Sequence, residues 1–397
     1  MGTLGPNALA VHRYLFRLAL ATGNFFGWIV VFRVFYFFSA DISAALAGTA
    51  LLYAIAQGIA FILTPLTGAA LRIGVRRALI LGSLAACISF AFLAQFFLSR
   101  ISANPDVAFT LIAGFAIVSG IQRALYFVPY ATAAALTESR AGHVLLRELS
   151  LALIPLIGGY VITFVPGGVG LLFAFAGAVS LAAAIAVIEM PEIHERFEWR
   201  YGETLRALFA RSHRGALYVA VFDGLQGTAL LLIWPLSAFI ILGQSFLAFG
   251  FVMAATFIVA FIGRFGVRRI LRMMRAEKSP YILATVAFSS WIFRLSAGTP
   301  VQILVADVYY HAAAQPRGRG VDVHAFDQWA DNGHYVDEYT ALKEMGLALG
   351  RILMCGIFAA LALISAPVIA FIGCILIAAV AAAASVLLSH RLMRQAF

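Results

Sequence analysis

Charge is the scarcest property of this 397-residue chain: 12% of its residues are charged and 63% are hydrophobic. Soluble domains hold about 25% charged and about 45–50% apolar residues, so a water-soluble globule is excluded and an integral membrane protein is expected. Lysine is almost missing, with only Lys278 and Lys343, and the other basic residues are arginine. That bias suits a GC-rich bacterial genome. Cysteine is scarce too. Cys87, Cys355 and Cys374 all fall within apolar runs, which excludes a disulfide framework and a cysteine-rich metal site and makes them packing residues. Long stretches of strict polar–apolar alternation are missing, so a membrane β-barrel is excluded and helices are the spanning element. H-E-x-x-H, G-x-S-x-G and G-x-x-x-x-G-K-(S/T) are all absent. Zinc-peptidase, serine-hydrolase and ATP-pump chemistry therefore have no footing, and no cofactor or metal is expected. The first apolar run lacks a small-residue cleavage site and is too long for a signal-peptide core, so it reads as a retained span.

Apolar runs of roughly bilayer length recur throughout. Twelve are expected, at 14–38, 44–66, 77–98, 107–132, 145–165 and 168–188, then 214–241, 246–263, 280–296, 299–315, 345–364 and 367–389. Alternate loops differ sharply in charge. One set carries nearly all the arginines, among them Arg72, Arg76, Arg77, Arg140, Arg147 and the stretch from Arg196 to Arg214. The opposite set is very short, with Arg100 its only clear basic residue. The positive-inside rule places the basic loops and both termini in the cytoplasm. The net charge of +10 is thus a topology signal rather than the footprint of a nucleic-acid partner. A multi-pass protein of the bacterial inner membrane is expected.

A short basic phrase is written twice, as Arg72-Ile73-Gly74-Val75-Arg76-Arg77 and as Arg264-Phe265-Gly266-Val267-Arg268-Arg269. Each copy is read as a tight turn between paired spans, with glycine allowing the reversal and arginines at the headgroups. Gln122 and Tyr130 match Gln302 and Tyr310 at the same spacing, and Leu146-Arg147-Glu148-Leu149 matches Leu342-Lys343-Glu344-Met345. Three matches in one order predict a duplicated, all-α membrane fold of two pseudo-symmetric six-helix bundles. The domains are then 1–189, a linker with an amphipathic helix at 190–213, and 214–397.

With these matches in place, the chain resembles the major facilitator superfamily of secondary transporters along its whole length. The first phrase is similar to that family's loop motif, G-x-x-x-D-R-x-G-R-(R/K), at Arg72, Gly74 and Arg76. Thr67, Leu71 and Val75 depart from it, and in the second copy Gly263 stands at the aspartate position. Pro155-Leu156-Ile157-Gly158-Gly159 resembles the P-x-x-G-G core of an exporter motif of that family, with Ile154 in place of the preceding glycine. Read locally, the same residues make a helix bend and a small-residue packing face. The resemblance implies alternating access, with spans 1, 4, 7 and 10 around a central cavity.

Charges within a span are expensive and mark function by default. They fall in spans 1, 4, 7 and 10: Arg17, Arg33, Arg123, Asp223 and Asp307. Arg17 is read as an interfacial anchor; Arg294 and Arg351 are read as snorkelling from span ends. At about 100° per residue, Arg123, Tyr126 and Tyr130 share a stripe; so do Asp223, Gln226 and Trp234, and Asp307 and Tyr310. Arg17, Asn24 and Trp28 form a fourth. The candidate substrate contacts are Asn24, Arg33, Arg123, Tyr126, Gln226 and Tyr310, since arginine can clamp a carboxylate or phosphate. Asp223 and Asp307 are the candidate proton carriers, because a carboxylate in a low-dielectric cavity can exchange a proton near neutrality. The cytoplasmic gate and loop candidates are Arg72, Gly74, Arg76, Arg77, Gly266, Arg268 and Arg269, with Arg147, Glu148, Lys343 and Glu344 at equivalent helix ends. The polar run His324, Asp327, Asp331, His334, Asp337, Glu338 reads as a solvated acidic helix. The expected function is secondary transport of a small organic solute by a monomer in the lipid bilayer, coupled to protons. The alternative is a lipid-modifying enzyme or lipid flippase using the intramembrane aspartates.

Overall fold

The computed structural model describes residues 5–98, 104–136, 144–194, 197–273, 279–314 and 336–395. These residues are helical almost throughout, and no strand occurs among them. The reason is the solvent: in hydrocarbon every backbone N–H and C=O must find a partner within its own segment. Six helices occupy the first half of the chain: α1 (Gly5–Ser39), α2 (Ile42–Ile73), α3 (Val75–Leu98), α4 (Pro105–Leu136), α5 (Val144–Phe164) and α6 (Gly168–Val187). A short helix, α7 (Tyr201–Phe209), follows. The second half holds α8 (Arg214–Thr228), α9 (Trp234–Ile241), α10 (Phe246–Met273), α11 (Pro280–Ile292), α12 (Pro300–Ala314), α13 (Val336–Ile364) and α14 (Pro367–Gln395). Among the described residues, nine helices are long and apolar enough to cross a membrane, counting α8 and α9 as one; α5 is apolar but shorter over Glu148–Phe164. Large apolar side chains such as Phe37, Ile62, Phe251, Ile364 and Val368 face outward. The chain is a multi-pass membrane protein.

Local chemistry sets the breaks. Asp41 caps α2 by accepting from the backbone N–H groups of Ser43 and Ala44, which satisfies donors that a helix start leaves open. Ser279 caps α11 and accepts from Ile282, with Pro280 in the first turn. Between α8 and α9 the backbone widens into a π-helical turn, Ala229–Ile233. Pro235 follows; its missing N–H and its ring oppose the carbonyl one turn back, and the wider turn accommodates both. A 3₁₀ turn, Phe293–Ser296, ends α11.

The strongest packing within the first half joins α3 to α4 and α6, α2 to α4, and α1 to α6. Within the second half α8 packs on α13 and α14, and α11 on α14. Two seams join the halves, α2 on α13 and α5 on α10. Lipid tails are as apolar as leucine, so such seams depend on close backbone approach. At Gly159 a Cβ would strike the Phe246 carbonyl, and at Gly250 it would strike the Pro155 carbonyl. The P-x-x-G-G stretch is therefore the contact face of α5 on α10.

Three sequence expectations are corrected here. The second basic phrase is not a turn: Arg264 to Arg269, with Gly266, Arg268 and Arg269, continue inside α10. Their side chains, and that of Arg147, lie outside the described residues, as do His324, Asp327, Asp331 and His334. Only the first copy reverses the chain, where Gly74 adopts φ 134° between α2 and α3. Asp337 and Glu338 are not solvated; both are buried at the start of α13. Glu338 accepts from the backbone N–H of Glu198 at 2.7 Å, so the segment before α7 covers it. Arg294 and Arg351 do not reach for an interface but are buried inside, at 2% and 6% exposure.

Candidate functional site

A cavity of about 400 Å³ lies between the halves. From the first half it is lined by Asn24, Phe25 and Trp28 of α1, Tyr53 and Gln57 of α2, and Ser119, Gln122 and Arg123 of α4. From the second half come Leu230, Leu231, Trp234, Met253 and Phe257, with Arg294 at the end of α11 and Asp307 and His311 on α12. Its walls are mainly aromatic and aliphatic, and its polar groups cluster at a few points, the usual make-up of a small-molecule site.

The first polar point is Arg294 with Asp307. Arg294 Nη2 donates to Asp307 Oδ1 at 2.6 Å, and both side chains are almost fully buried. Three rings hold the guanidinium, their centroids 4.0 Å (Tyr310), 4.5 Å (Trp291) and 4.8 Å (Trp234) away. Cation–π contact partly replaces lost hydration. Among the described residues, Arg294 Nε and Nη1 have no hydrogen-bond partner. Asp307 therefore occupies one of the guanidinium's donors and leaves the others open.

The second polar point joins the halves. Arg123 Nη2 donates to Glu344 Oε2 of α13 at 3.1 Å, and its guanidinium lies 4.6 Å from the Phe127 ring centroid. About two turns further along α13, Arg351 Nη1 donates to Gln57 Oε1 at 3.2 Å. No carboxylate stands within ion-pair distance of Arg351 among the described residues.

The other sequence candidates are distributed as follows. Asn24, Arg123 and Asp307 line the cavity together. Tyr310 stands just behind, against Arg294. Arg33 lies elsewhere, near the end of α1, where it is exposed and donates to Gln244 Oε1 in the α9–α10 turn at 2.8 Å. Tyr126 is buried in the first half, stacked on Phe16 at 3.9 Å and on Tyr130 at 5.4 Å. Asp223 Oδ1 accepts from Gln226 Nε2 and from Ser385 Oγ, both at 2.7 Å. That places Asp223 and Gln226 at the α8–α14 contact, outside the cavity lining. Sequence reasoning missed Tyr53, Gln57, Arg294, His311 and Arg351 as site neighbours. The one available signal was intramembrane charge, and it had been spent on snorkelling.

The first basic turn is bound to the segment after α6. Arg76 Nε donates to Glu192 Oε2 at 3.0 Å, its backbone N–H to Glu192 Oε1 at 3.1 Å, and its Nη1 to the Met190 carbonyl at 3.2 Å. Arg77 lies 4.0 Å from the same carboxylate. Arg72 donates to the Phe197 carbonyl at 2.7 Å. A Cβ on Gly74 would collide with Glu192. The carboxylate missing from the turn itself is thus supplied by Glu192. Glu148 and Lys343 both have partners within the fold.

No family model matches the sequence, and no curated protein shows significant similarity to it. Solved structures do match its fold. A D-xylose–proton symporter matches with a TM-score of 0.62 at 15% identity, covering 95% of this chain and 97% of its own. A POT family transporter solved with 5-aminolevulinic acid gives 0.64 at 12%, covering 98% and 96%. The E. coli fucose:proton symporter gives 0.58 at 14%, covering 97% and 98%. At such identities the likeness establishes the fold alone: this chain shares the fold of these three transporters.

Proposed function

We propose that this protein is a proton-coupled secondary transporter that moves a small organic solute by alternating access. The observation that carries the reading is a buried Arg294–Asp307 pair lining a cavity walled by both halves of the chain. The likeness in fold to two proton symporters supports the reading. The architecture proposed is twelve spans in two six-helix bundles, 1–189 and 214–397, joined by the 190–213 linker. Both termini are cytoplasmic, the protein is monomeric, and it resides in the bacterial inner membrane.

The proposed coupling follows from guanidinium geometry. Each bidentate fork uses Nη2, either with Nε or with Nη1. Asp307 holds one N–H of Nη2, so the fork built on that hydrogen is closed while Asp307 is ionised and in place. Protonating Asp307 removes the charge that holds it there and frees that fork, and with it the full guanidinium charge, for solute. Release of the proton re-forms the pair and expels the solute. Arg123–Glu344 and Arg351–Gln57 join opposite walls and act as contacts that must open when the halves part on that side. Asn24, Trp28 and Gln57 complete the lining.

The test is solute flux in sealed proteoliposomes under an imposed proton gradient, using xylose, fucose, 5-aminolevulinic acid and 2-naphthoate. Wild-type protein is expected to accumulate at least one of them. Asp307→Asn should abolish gradient-driven accumulation yet keep downhill exchange. Accumulation by Asp307→Asn that still follows the gradient would sink the coupling assignment. The lipid-enzyme or flippase alternative requires turnover or scrambling of lipid. Asp307 and Asp223 are both engaged by protein groups, which gives that alternative no open carboxylate. Orientation has its own check: a cysteine at Ser102, outside the described residues, should label from outside, and one at Ser279 should not.

A further inference from the structure

We infer that the solute is an amphipathic organic anion, with one carboxylate, phosphonate or similar head on a flat apolar body. This rests on reading the cavity as the solute site. The argument comes from what the cavity leaves unpaired. Among the described lining residues, four buried polar atoms lack any partner: Arg294 Nε, Arg294 Nη1, Trp234 Nε1 and Gln122 Nε2. All four are N–H groups. Three belong to arginine and tryptophan, which carry no acceptor, so their direction does not depend on how an amide is turned. Elsewhere among the described residues the unpartnered atoms are of both kinds, donors at Arg13 Nε, Trp291 Nε1 and Arg351 Nε and acceptors at Asp337 Oδ2 and Glu338 Oε2, whereas in the cavity lining all four are donors. Buried donors without acceptors are costly, and a ligand that brings oxygen lone pairs removes the cost. A cationic or donor-rich ligand would add to it.

Charge counting gives the same sign. Arg123 is neutralised by Glu344 and Arg294 by Asp307. Arg351 stands beside this cluster, outside the cavity lining, at 6% exposure; among the described residues its side chain bonds to the neutral Gln57, with its Nε unpartnered. These three arginines thus face two carboxylates, one positive charge in excess next to the cavity. In a low-dielectric interior that charge attracts an anion more strongly than it would in water. The shape of the ligand follows from the remaining walls. Phe25, Trp28, Trp234 and Phe257 offer ring faces, while Asn24, Gln57, Ser119, Gln122 and His311 supply the other polar groups of the lining. A sugar, with hydroxyls all round, would set several of its polar groups against these rings. A planar hydrocarbon body with a single anionic end suits both parts.

The experiment uses full-length protein in detergent and three probes of one shape: 2-naphthoate, 2-naphthamide and 2-naphthylmethylamine. Binding is read by isothermal titration calorimetry and by thermal shift. The carboxylate should bind at least about 10-fold more tightly than the amide, the ratio expected for a hydrogen-bonded charge, and the amine should not bind. Arg294→Gln should weaken naphthoate about 10- to 100-fold and leave the amide nearly unchanged. Trp234→Phe keeps the ring and deletes the N–H, and should weaken naphthoate a few-fold in a protein that still unfolds cooperatively. Tighter binding of the amide or amine overturns the inference, as does binding of none of the three by folded protein. Equal loss of amide and carboxylate in the variants also overturns it. Flux keeps the two readings apart. If naphthoate binds as described but nothing crosses sealed vesicles, the transporter reading fails and the anion site stands. If a neutral solute is accumulated and carboxylates do not bind, the anion site fails and the transporter reading stands.

Discussion

Asp307→Asn and Arg294→Gln form a double-mutant cycle that measures how strongly the buried pair is coupled. The partners lie 2.6 Å apart, with side-chain exposures of 0% and 3%. With charge centres about 4 Å apart and an effective dielectric near 20, their attraction is about 4 kcal/mol. Removing one partner of a buried pair costs about 3–5 kcal/mol, because the other charge is stranded. Asp307→Asn strands the Arg294 guanidinium among its three rings, and Arg294→Gln strands the Asp307 carboxylate at 2% exposure. Each single change is therefore expected to lower stability by about 3–5 kcal/mol. The double variant should recover most of the loss, because a neutral pair of the same volume has no stranded charge.

Chemical denaturation in detergent, followed by circular dichroism, measures all four corners. Stranded Arg294 should also recruit an anion, so chloride should rescue Asp307→Asn more than sulfate-free, chloride-free buffer of equal ionic strength made with a bulky anion. The reasoning is refuted if both single variants fall within about 1 kcal/mol of wild type and the cycle is additive, since groups in contact couple by about 0.5–3 kcal/mol or more.

Three further outcomes are expected. Glu192→Ala strips Arg76 of two acceptor atoms and should lower stability by about 1 kcal/mol while exposing residues near 190 to protease; unchanged proteolysis would show that the turn is not held by the segment after α6. Gly159→Val pushes a side chain into the Phe246 carbonyl and should cost about 1–3 kcal/mol as overpacking, seen as a lower melting temperature; a wild-type melting profile would contradict the close α5–α10 seam. Glu344→Gln and Arg33→Gln each weaken a bond that joins the halves. The half-buried Arg123–Glu344 contact should cost about 1.5–3 kcal/mol and the exposed Arg33–Gln244 contact less than about 1 kcal/mol, so equal losses would overturn the burial argument.

How much of this was legible in the chain depends on which property each residue expressed. Helix positions were legible because hydropathy acts over some twenty residues and averages out local noise. Asn24, Arg123 and Asp307 could be placed together because their helical stripes point one way and their burial carries a cost. Arg294 could not be placed, because its position near the end of an apolar run suggests a headgroup. Its inward course is set by the 3₁₀ turn Phe293–Ser296 and by three rings from separate elements, none of which sequence distance reveals. Arg351 was obscured in the same way; its acceptor, Gln57, is 294 residues away. The internal repeat was a better guide to ancestry than to environment. Gln122 and Gln302 match at the sequence level, yet Gln122 lines the cavity and Gln302 is exposed, accepting from the backbone of Gly298. The twice-written basic phrase behaves likewise. One copy turns at Gly74 and is bound by Glu192, while the other runs on as helix.

These placements divide the polar contacts of the cavity into two kinds. Arg294 and Asp307 lie 13 residues apart, both in the second half of the chain. A rigid movement of one half against the other leaves their distance unchanged, so only protonation or a ligand can part them. Arg123–Glu344, Arg351–Gln57 and Arg33–Gln244 each join the first half to the second. The same movement must stretch or break them. A group that senses solute and proton should be indifferent to the movement itself, or it would release its load during every transition. A group that closes an entrance should depend on the movement and on nothing else. On the transporter reading, the geometry therefore assigns sensing to the pair that sequence analysis half recognised, through Asp307. It assigns closing to pairs whose partners lie more than 200 residues apart, at Arg123–Glu344, Arg33–Gln244 and Arg351–Gln57.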